Sequence, residues 1–246
     1  MSAIGSGGHS RTLAQDVVPS PDDALVSLRY GRAMQGPTVE PVVTQVKVPA
    51  GMLGPDPVSF EVRCFVVADA AGVVLVDTCT PGSSEAIGRA LVNVGAAWVN
   101  VTDIVLTHSH FDHVGGLAEV SEQASRATIW AGAEDAPEIP TIDSRVVQAV
   151  AEGDRVGELR VMHTPGHTAG HISVLHEAAS LLLIGDLVGS VDGVPTFGPA
   201  AFTADPELSR RSLRRMVDLA PDRILFSHGG EVPHPGPAIK DLLSRS

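Results

Sequence analysis

One short segment of this chain reads Thr107-His108-Ser109-His110-Phe111-Asp112-His113. It follows the apolar run Ile104-Val105-Leu106, which predicts a buried strand, and it places four metal-capable side chains within six residues. Imidazole nitrogens and carboxylate oxygens are suitable ligands for zinc, iron or manganese, and a short loop can aim alternate side chains at different ions. An isolated His-x-His is more often an ordinary surface turn, so the rest of the chain has to decide.

Three later segments carry the same kinds of side chain where predicted strands end. They are Thr164-Pro165-Gly166-His167-Thr168, Ile184-Gly185-Asp186 and Phe226-Ser227-His228-Gly229. Strand ends held by a packed scaffold allow side chains to converge on one point without loss of core burial. The chain therefore offers seven candidate metal ligands: His108, His110, Asp112, His113, His167, Asp186 and His228.

In this order, the motifs H-x-H-x-D-H, T-P-G-H-T, G-D and a His at a late strand end resemble the metallo-β-lactamase superfamily, over roughly residues 58 to 232. The resemblance implies two divalent metal ions, zinc first, with iron or manganese as alternatives. It assigns His108, His110 and His167 to one ion, Asp112, His113 and His228 to the other, and Asp186 to a bridge between them. Asp77 resembles the carboxylate that supports the metal loops in that family.

The predicted elements alternate between strands and helices, with no linker-like run between them. The hydrophobic content of 43% is enough for one substantial core. Periodicity alone predicts a mixed α and β fold, and the resemblance implies an α+β fold, the αββα four-layer sandwich, in a single domain. Residues 1–20, rich in Gly and Ser, are expected to form a disordered leader, and residues 21–246 the metallo-β-lactamase-like hydrolase domain.

Local patterns place several elements. Alternation over residues 42–48 predicts an edge strand, and residues 60–67 and 73–77 predict a hairpin. A helix is expected from Ser83 or Ser84, one of which would cap it, to Val94, and another from Asp205-Pro206 to about Leu219. The acidic stretch from Glu134 to Ile142 is expected to be an ordinary connection.

Charge and composition restrict the partners and the compartment. The formal net charge of −12 opposes binding to nucleic acid, and no apolar run approaches the ~20 residues needed to cross a bilayer. The first residues lack the pattern of a secretory signal, so a cytoplasmic protein is expected, with a small-molecule substrate and, by resemblance, a homodimer. Two cysteines, Cys64 and Cys79, are expected to be buried thiols.

The ligand set suggests a mechanism of hydrolysis. Two ions bridged by Asp186 and a water would lower the pKa of that water and supply a metal-bridging hydroxide that attacks a carbonyl carbon. Asp112 is expected to be a ligand that also orients the hydroxide or passes its proton to the leaving group. Asp112 and Asp186 are therefore the candidate catalytic residues.

The branch of the superfamily decides the substrate. The ligand set and the T-P-G-H-T-A-G-H sequence resemble lactonases that open N-acyl homoserine lactones, although the Tyr that often follows the bridging Asp is replaced here by Leu187-Val188-Gly189. The alternatives are a thioesterase of glyoxalase-II type and a β-lactamase-like amidohydrolase. The short segment after His228 is expected to exclude the glutathione-binding extension of glyoxalase II, and the Asp at the bridge argues against a β-lactamase. A metal-binding sensor without turnover is the non-enzyme alternative.

Several side chains have weaker predictions. His163 and His171 either support a metal ligand by a hydrogen bond or lie in the core, and the sequence leaves both possibilities open. His9, His176 and His234 are expected at the surface, and Phe111 is expected to pack beneath the metal loop. The basic cluster consists of Arg210, Arg211, Arg214 and Arg215, and it is expected to be a solvated helix face.

Overall fold

The computed structural model of the chain describes residues 36–52, 54–142 and 145–245. The predicted leader of residues 1–20, with His9, lies outside the described residues. The strands are β1 (Thr38–Val48), β2 (Val58–Ala68), β3 (Val73–Val76), β4 (Val101–Leu106), β5 (Thr128–Gly132), β6 (Gln148–Val150), β7 (Arg155–Val156), β8 (Leu159–His163), β9 (Ile172–His176), β10 (Leu181–Leu183), β11 (Gly189–Val191), β12 (Val194–Thr196) and β13 (Arg223–Leu225). The α-helices are α1 (Ser84–Asn93), α2 (Phe111–Val114), α3 (Leu117–Gln123), α4 (Pro206–Asp218) and α5 (Pro235–Ser244).

The strands form two large sheets and one small hairpin. The first sheet has the order β1-β2-β3-β4-β5-β6, antiparallel from β1 to β3 and parallel from β3 to β6. The second has the order β13-β10-β9-β8-β7, with a parallel pair only between β10 and β13. Strands β11 and β12 pair with each other. The predicted edge strand and the predicted β2–β3 hairpin are both confirmed.

Three groups of buried apolar side chains define four layers. One group joins the first sheet to helices α1 and α3, through residues such as Ile87 and Leu117. A second group contains residues of both sheets, such as Val76 and Val174, and fills the space between them. The third joins the second sheet to α4 and α5, through Leu213 among others. The order helix, sheet, sheet, helix confirms the αββα sandwich, because each sheet buries both of its faces.

The helix starts show how local sequence sets the elements. Helix α4 begins where predicted, with the Asp205 carboxylate accepting a hydrogen bond from the backbone N–H of Leu208 at 2.9 Å and with Pro206 in the first turn. Helix α1 also begins where predicted, but the prediction that a serine caps it is wrong. The Ser83 hydroxyl donates to the carbonyl of Thr80 at 2.6 Å and makes no capping bond to the helix.

Two surface predictions need correction. His176 was expected at the surface, but it is 5% exposed, because it ends β9 and its Nε2 lies 3.9 Å from the carboxylate of Asp69 in the β2–β3 turn. The prediction of a solvated face is confirmed for Arg211, Arg214 and Arg215, which are exposed, whereas the side chain of Arg210 is 26% exposed and lies over the ring of Phe197.

Other predictions hold. Cys64 and Cys79 are both buried, free thiols, and His234 is exposed. Across the residues that the structure describes, no helix combines the length and apolar character needed to span a bilayer.

Candidate metal centre

The metal loop, residues 107–113, follows the buried strand β4 and turns at once into the short helix α2. Two residues along a helix turn the side chain by about 200°, so Phe111 and His113 point in opposite directions. His113 is buried, while Phe111 is 65% exposed. The prediction that Phe111 packs beneath the loop is therefore wrong. The Phe111 ring lies at the protein surface.

The other three ligand segments also follow strands. His167 lies in the loop after β8, where Gly166 adopts a φ of +132° and passes so close to α4 that an added Cβ would lie 2.1 Å from the backbone nitrogen of Ser209. Asp186 lies in the 3₁₀ turn Gly185–Leu187 after β10. His228 follows β13. These segments approach the metal loop from the second sheet, so the candidate site lies at one edge of the sandwich.

The seven candidate ligands converge, and Asp186 lies at their centre. Three groups each have ligand atoms within 4.8 Å of one another: His108, His110 and His167; His108, His113 and Asp186; and Asp112, His113 and His228. One oxygen of Asp186, Oδ2, lies 3.5 Å from Nε2 of His167 and 3.1 Å from Nε2 of His228, while Oδ1 lies 3.4 Å from Nε2 of His113. One carboxylate thus faces imidazoles of both predicted metal positions.

The donor set fits a cation because several of its atoms lack any other partner. Nε2 of His108, Nε2 of His113 and Oδ1 of Asp186 are buried and make no hydrogen bond. Nδ1 of His110 lies 2.9 Å from Nε2 of His167, so two ring nitrogens face each other. Buried polar atoms without partners are costly and rare in folded proteins. A metal ion with His and carboxylate ligands would satisfy these atoms, and the donor set suits zinc, iron and manganese.

Burial sets the pKa of the imidazoles on one side of the site. It lowers the pKa of His108 well below the usual value, with the neighbouring His113 adding to the effect. Burial likewise lowers the pKa of His110, and it lowers that of His167 to about 4. These rings are therefore neutral near pH 7, which is the form that binds metals.

The carboxylate at the centre has the opposite effect on the other side. Burial alone would raise the pKa of Asp186, but His228 and His113 outweigh it and hold that pKa well below its usual range. Burial alone would also lower the pKa of His113 and of His228, but the Asp186 carboxylate raises both, with help from Asp77 at His113. Positive charge is thus favoured around Asp186.

Asp77 supports the metal loop as the resemblance implied. It is buried with a φ of +64°, and its Oδ1 accepts from the backbone N–H of Thr107 at 2.7 Å. Its Oδ2 lies 2.9 Å from Nδ1 of His113. A proton on that Nδ1 leaves the lone pair of Nε2 facing the site. The Thr107 hydroxyl contacts the same carboxylate and Nδ1 of His108, a role that the sequence analysis missed.

Asp135 is a second buried carboxylate that the sequence analysis missed, because the stretch from Glu134 to Ile142 was interpreted as an ordinary connection. Its side chain is 1% exposed. Oδ2 accepts from the backbone N–H of Ser109 at 2.9 Å and from the Thr168 hydroxyl at 2.6 Å, and Oδ1 accepts from the backbone N–H of Gly170 at 2.7 Å. Asp135 therefore ties the metal loop to the loop that carries His167. The only sequence signal was a carboxylate placed shortly after strand β5.

His163 and His171, which flank T-P-G-H-T, have different surroundings in the structure. His171 is fully buried, and its Nε2 accepts a hydrogen bond from the backbone N–H of Asp186 at 3.0 Å. Nδ1 of His171 lies 3.1 Å from the carbonyl of Thr164, which fixes the ring. Burial lowers the pKa of His171 to about 3, so the ring is neutral and can accept that bond. His163 is half-buried, and its Nε2 lies 3.1 Å from the carbonyl oxygen of Ala169.

The fold and the cluster together place the chain in one class of protein. Its members are two-sheet sandwiches with a centre of histidines and carboxylates at one edge. Residues 59–228 match the family model described as the metallo-beta-lactamase superfamily. The chain therefore belongs to the metallo-β-lactamase superfamily, whose members are metal-dependent hydrolases.

Known proteins resemble the chain at different levels. The uncharacterised protein YobT of Bacillus subtilis is 26% identical over 218 residues, which cover 77% of this chain and 92% of YobT. The hydroxyacylglutathione hydrolase of Methylobacterium nodulans is 35% identical over 181 residues, which cover 68% of this chain and 65% of that enzyme. The solved structure of an N-acyl homoserine lactone hydrolase, with the product N-hexanoyl-L-homoserine at its catalytic metal centre, superposes with a TM-score of 0.58. That match has 20% identity and covers 78% of this chain and 92% of the lactonase, so it concerns the fold alone.

Proposed function

We propose that this protein is a dinuclear, metal-dependent hydrolase of carbonyl esters, and that its first candidate substrate is a lactone such as an N-acyl homoserine lactone. One observation carries the proposal: the Asp186 carboxylate lies among imidazoles from three separate segments, and the facing atoms of His108, His113 and Asp186 are buried without any other partner. This arrangement costs stability unless cations complete it, so it is expected to serve a reaction.

The proposed ligands are divided around Asp186. His108, His110 and His167 would hold one ion, Asp112, His113 and His228 the other, and Asp186 would contact both. Zinc is the first candidate, and iron or manganese suits the same donors. When bound, such ions lower the pKa of a water ligand toward neutrality and polarise a carbonyl oxygen, which is the chemistry that ester hydrolysis requires.

The residues of the chain would position the reaction. His171 fixes the backbone of Asp186 by accepting its N–H, so the carboxylate has a defined orientation. Asp112 is 18% exposed, and its Oδ2 lies 3.8 Å from Nε2 of His113 and 3.5 Å from Nε2 of His228. It is the ligand carboxylate with the greater access to solvent, which suits it to receive a proton and pass it to a leaving group.

The comparisons support two substrate classes. The fold shared with the N-acyl homoserine lactone hydrolase supports a lactone. The 35% identity to a hydroxyacylglutathione hydrolase supports the second candidate, a hydroxyacyl thioester. Both substrates present a carbonyl carbon to the same kind of attack, so the metal centre alone does not choose between them.

Metal content tests the dinuclear centre. Protein saturated with zinc and then freed of excess metal is expected to contain two ions per chain by elemental analysis. The variant Asp186→Asn should bind fewer ions and lose roughly a hundredfold or more in turnover, because the central charge is removed. Asp218→Asn is the matched control, since Asp218 is exposed on α4, and it should behave as the wild type. Two tightly bound ions in Asp186→Asn would contradict the assignment.

A turnover panel tests the substrate class. The metal-loaded protein is expected to open homoserine lactones with release of a proton, which a pH indicator detects. The panel also includes a hydroxyacyl thioester, a β-lactam and a phosphodiester. Rapid cleavage of the thioester with no activity on lactones of any acyl length would replace the first candidate by the second, and activity on the phosphodiester alone would overturn both.

A further inference from the structure

A small cavity adjoins the candidate metal centre. It has a volume of about 70 Å³, and its lining includes Asp186, Phe197, Thr203 and Arg210. Asp186 belongs to the metal centre, while Arg210 comes from helix α4. A molecule whose reacting carbonyl lies at the centre would therefore extend part of itself toward Arg210.

Arg210 is held in place with one edge of its guanidinium group unused. The group lies over the ring of Phe197, with 5.3 Å from Cζ to the ring centroid, and its Nη1 donates to the Glu207 carboxylate at 2.6 Å. Its Nε is buried and has no hydrogen-bond partner. A buried N–H without an acceptor is unfavourable, so an acceptor that entered the cavity and reached this edge would be stabilised.

The neighbouring arginines show that this is a local feature. Arg211 and Arg214 are exposed on the same helix, as a solvated face predicts. Arg215 reaches the carbonyl of His163 and the carboxylate of Glu152. Arg210 alone of the four lines the cavity beside Asp186.

We propose that Arg210 forms a carboxylate-binding subsite, so that the preferred substrate is a carbonyl ester that carries a carboxylate away from the reacting carbonyl. The Nε edge of a guanidinium group presents parallel N–H donors that match the two oxygens of a carboxylate, and stacking on Phe197 limits the movement of the group. This inference rests on the proposed hydrolase function. Within the proposed class of carbonyl esters it favours one that carries such a carboxylate over a neutral N-acyl homoserine lactone, because that lactone would leave the Nε of Arg210 without an acceptor.

The test compares two esters of equal chain length. The 4-nitrophenyl monoester of glutarate carries a terminal carboxylate, and the 4-nitrophenyl ester of pentanoate ends in a methyl group. The metal-loaded wild type is expected to prefer the glutarate ester about tenfold or more in kcat/KM, mainly through a lower KM, because charge-assisted hydrogen bonds strengthen binding. Arg210→Gln should remove the preference, because kcat/KM for the glutarate ester falls to about the value for the pentanoate ester. Arg211→Gln, on the exposed face, should keep the preference.

A binding measurement tests the subsite independently of turnover. Calorimetric titration of the metal-loaded protein with glutarate and with pentanoate should show about tenfold tighter binding of glutarate, lost in Arg210→Gln and retained in Arg211→Gln. Equal binding of the two acids by the wild type, or a preference that survives Arg210→Gln, would overturn the subsite. Failure of the wild type to hydrolyse any carbonyl ester, with the glutarate preference intact, would instead overturn the proposed hydrolase function.

Discussion

The replacement Asp135→Asn tests whether the buried carboxylate between the two ligand loops holds the metal centre together. The variant keeps the size of the side chain and removes its charge. In the native protein Oδ2 accepts from the backbone N–H of Ser109 and the hydroxyl of Thr168, while Oδ1 accepts from the backbone N–H of Gly170. An amide has one oxygen, so its NH₂ must face the backbone N–H of either Ser109 or Gly170. One of these backbone donors is left without an acceptor in either orientation.

The expected loss follows from that unpaired donor. A buried N–H without a partner costs about 1–3 kcal/mol, and the remaining hydrogen bonds lose the benefit of a charged acceptor, so we expect destabilisation of about 2–4 kcal/mol. For a chain of this size that corresponds to a fall in Tm of roughly 5–15 °C. Looser ligand loops should also weaken metal binding by about tenfold to a hundredfold, as is typical when a group that orients ligands is lost.

Two assays separate these effects. Urea unfolding of the metal-free protein measures stability, and competition with a coloured chelator measures zinc affinity. Glu134→Gln is the matched control. The Glu134 side chain is half exposed, and its Oε2 lies 3.7 Å from Nε2 of His163, so this partly solvated contact is weak. The control should change stability by less than about 0.5 kcal/mol. An Asp135→Asn variant with unchanged unfolding and unchanged zinc affinity would refute the argument that Asp135 joins the loops.

Two further substitutions test how the scaffold positions the site. Gly166→Ala should destabilise the protein by about 2–5 kcal/mol in thermal unfolding, since the methyl group would meet the backbone of α4 and φ is +132°. Gly153→Ala, also at positive φ but with open space around it, should cost only about 1 kcal/mol, and equal costs would mean that contact with α4 is unimportant. Asp205→Ala should lower stability by about 1 kcal/mol through loss of the bond to Leu208, and an unchanged Tm would show that the cap contributes nothing.

The parts of the site that the sequence predicted share one property: they directly follow apolar runs. His108, Asp186 and His228 each come shortly after a buried strand, so their positions depend on local patterns that can be recognised without coordinates. Asp135 also comes shortly after a buried strand, but no motif around it marks it as part of the site. Its role depends on three donors from two distant segments, and nothing in its own surroundings in the sequence indicates them.

The errors have similar physical causes. Phe111 was expected to pack under the loop, but α2 turns His113 inward and so turns Phe111 toward solvent. The surface prediction for His176 ignored the hairpin turn at Asp69, which covers it from another part of the chain. Arg210 was grouped with its exposed neighbours because four-residue spacing does not reveal that Phe197 lies beside it. In each case a contact between segments far apart in sequence overrides the local pattern.

The buried carboxylates and the cavity wall have separate roles, and this separation has a practical consequence for redesign. Asp77 and Asp135 hold the ligand loops from within, whereas Phe197 and Arg210 shape the space in front of Asp186 and take no part in those hydrogen bonds. Libraries restricted to positions 197 and 210 can therefore change which molecules fit, while the neighbouring residues 203–205, which contact the loop of His167, stay unchanged. Laboratory evolution of new substrate ranges should begin at those two positions.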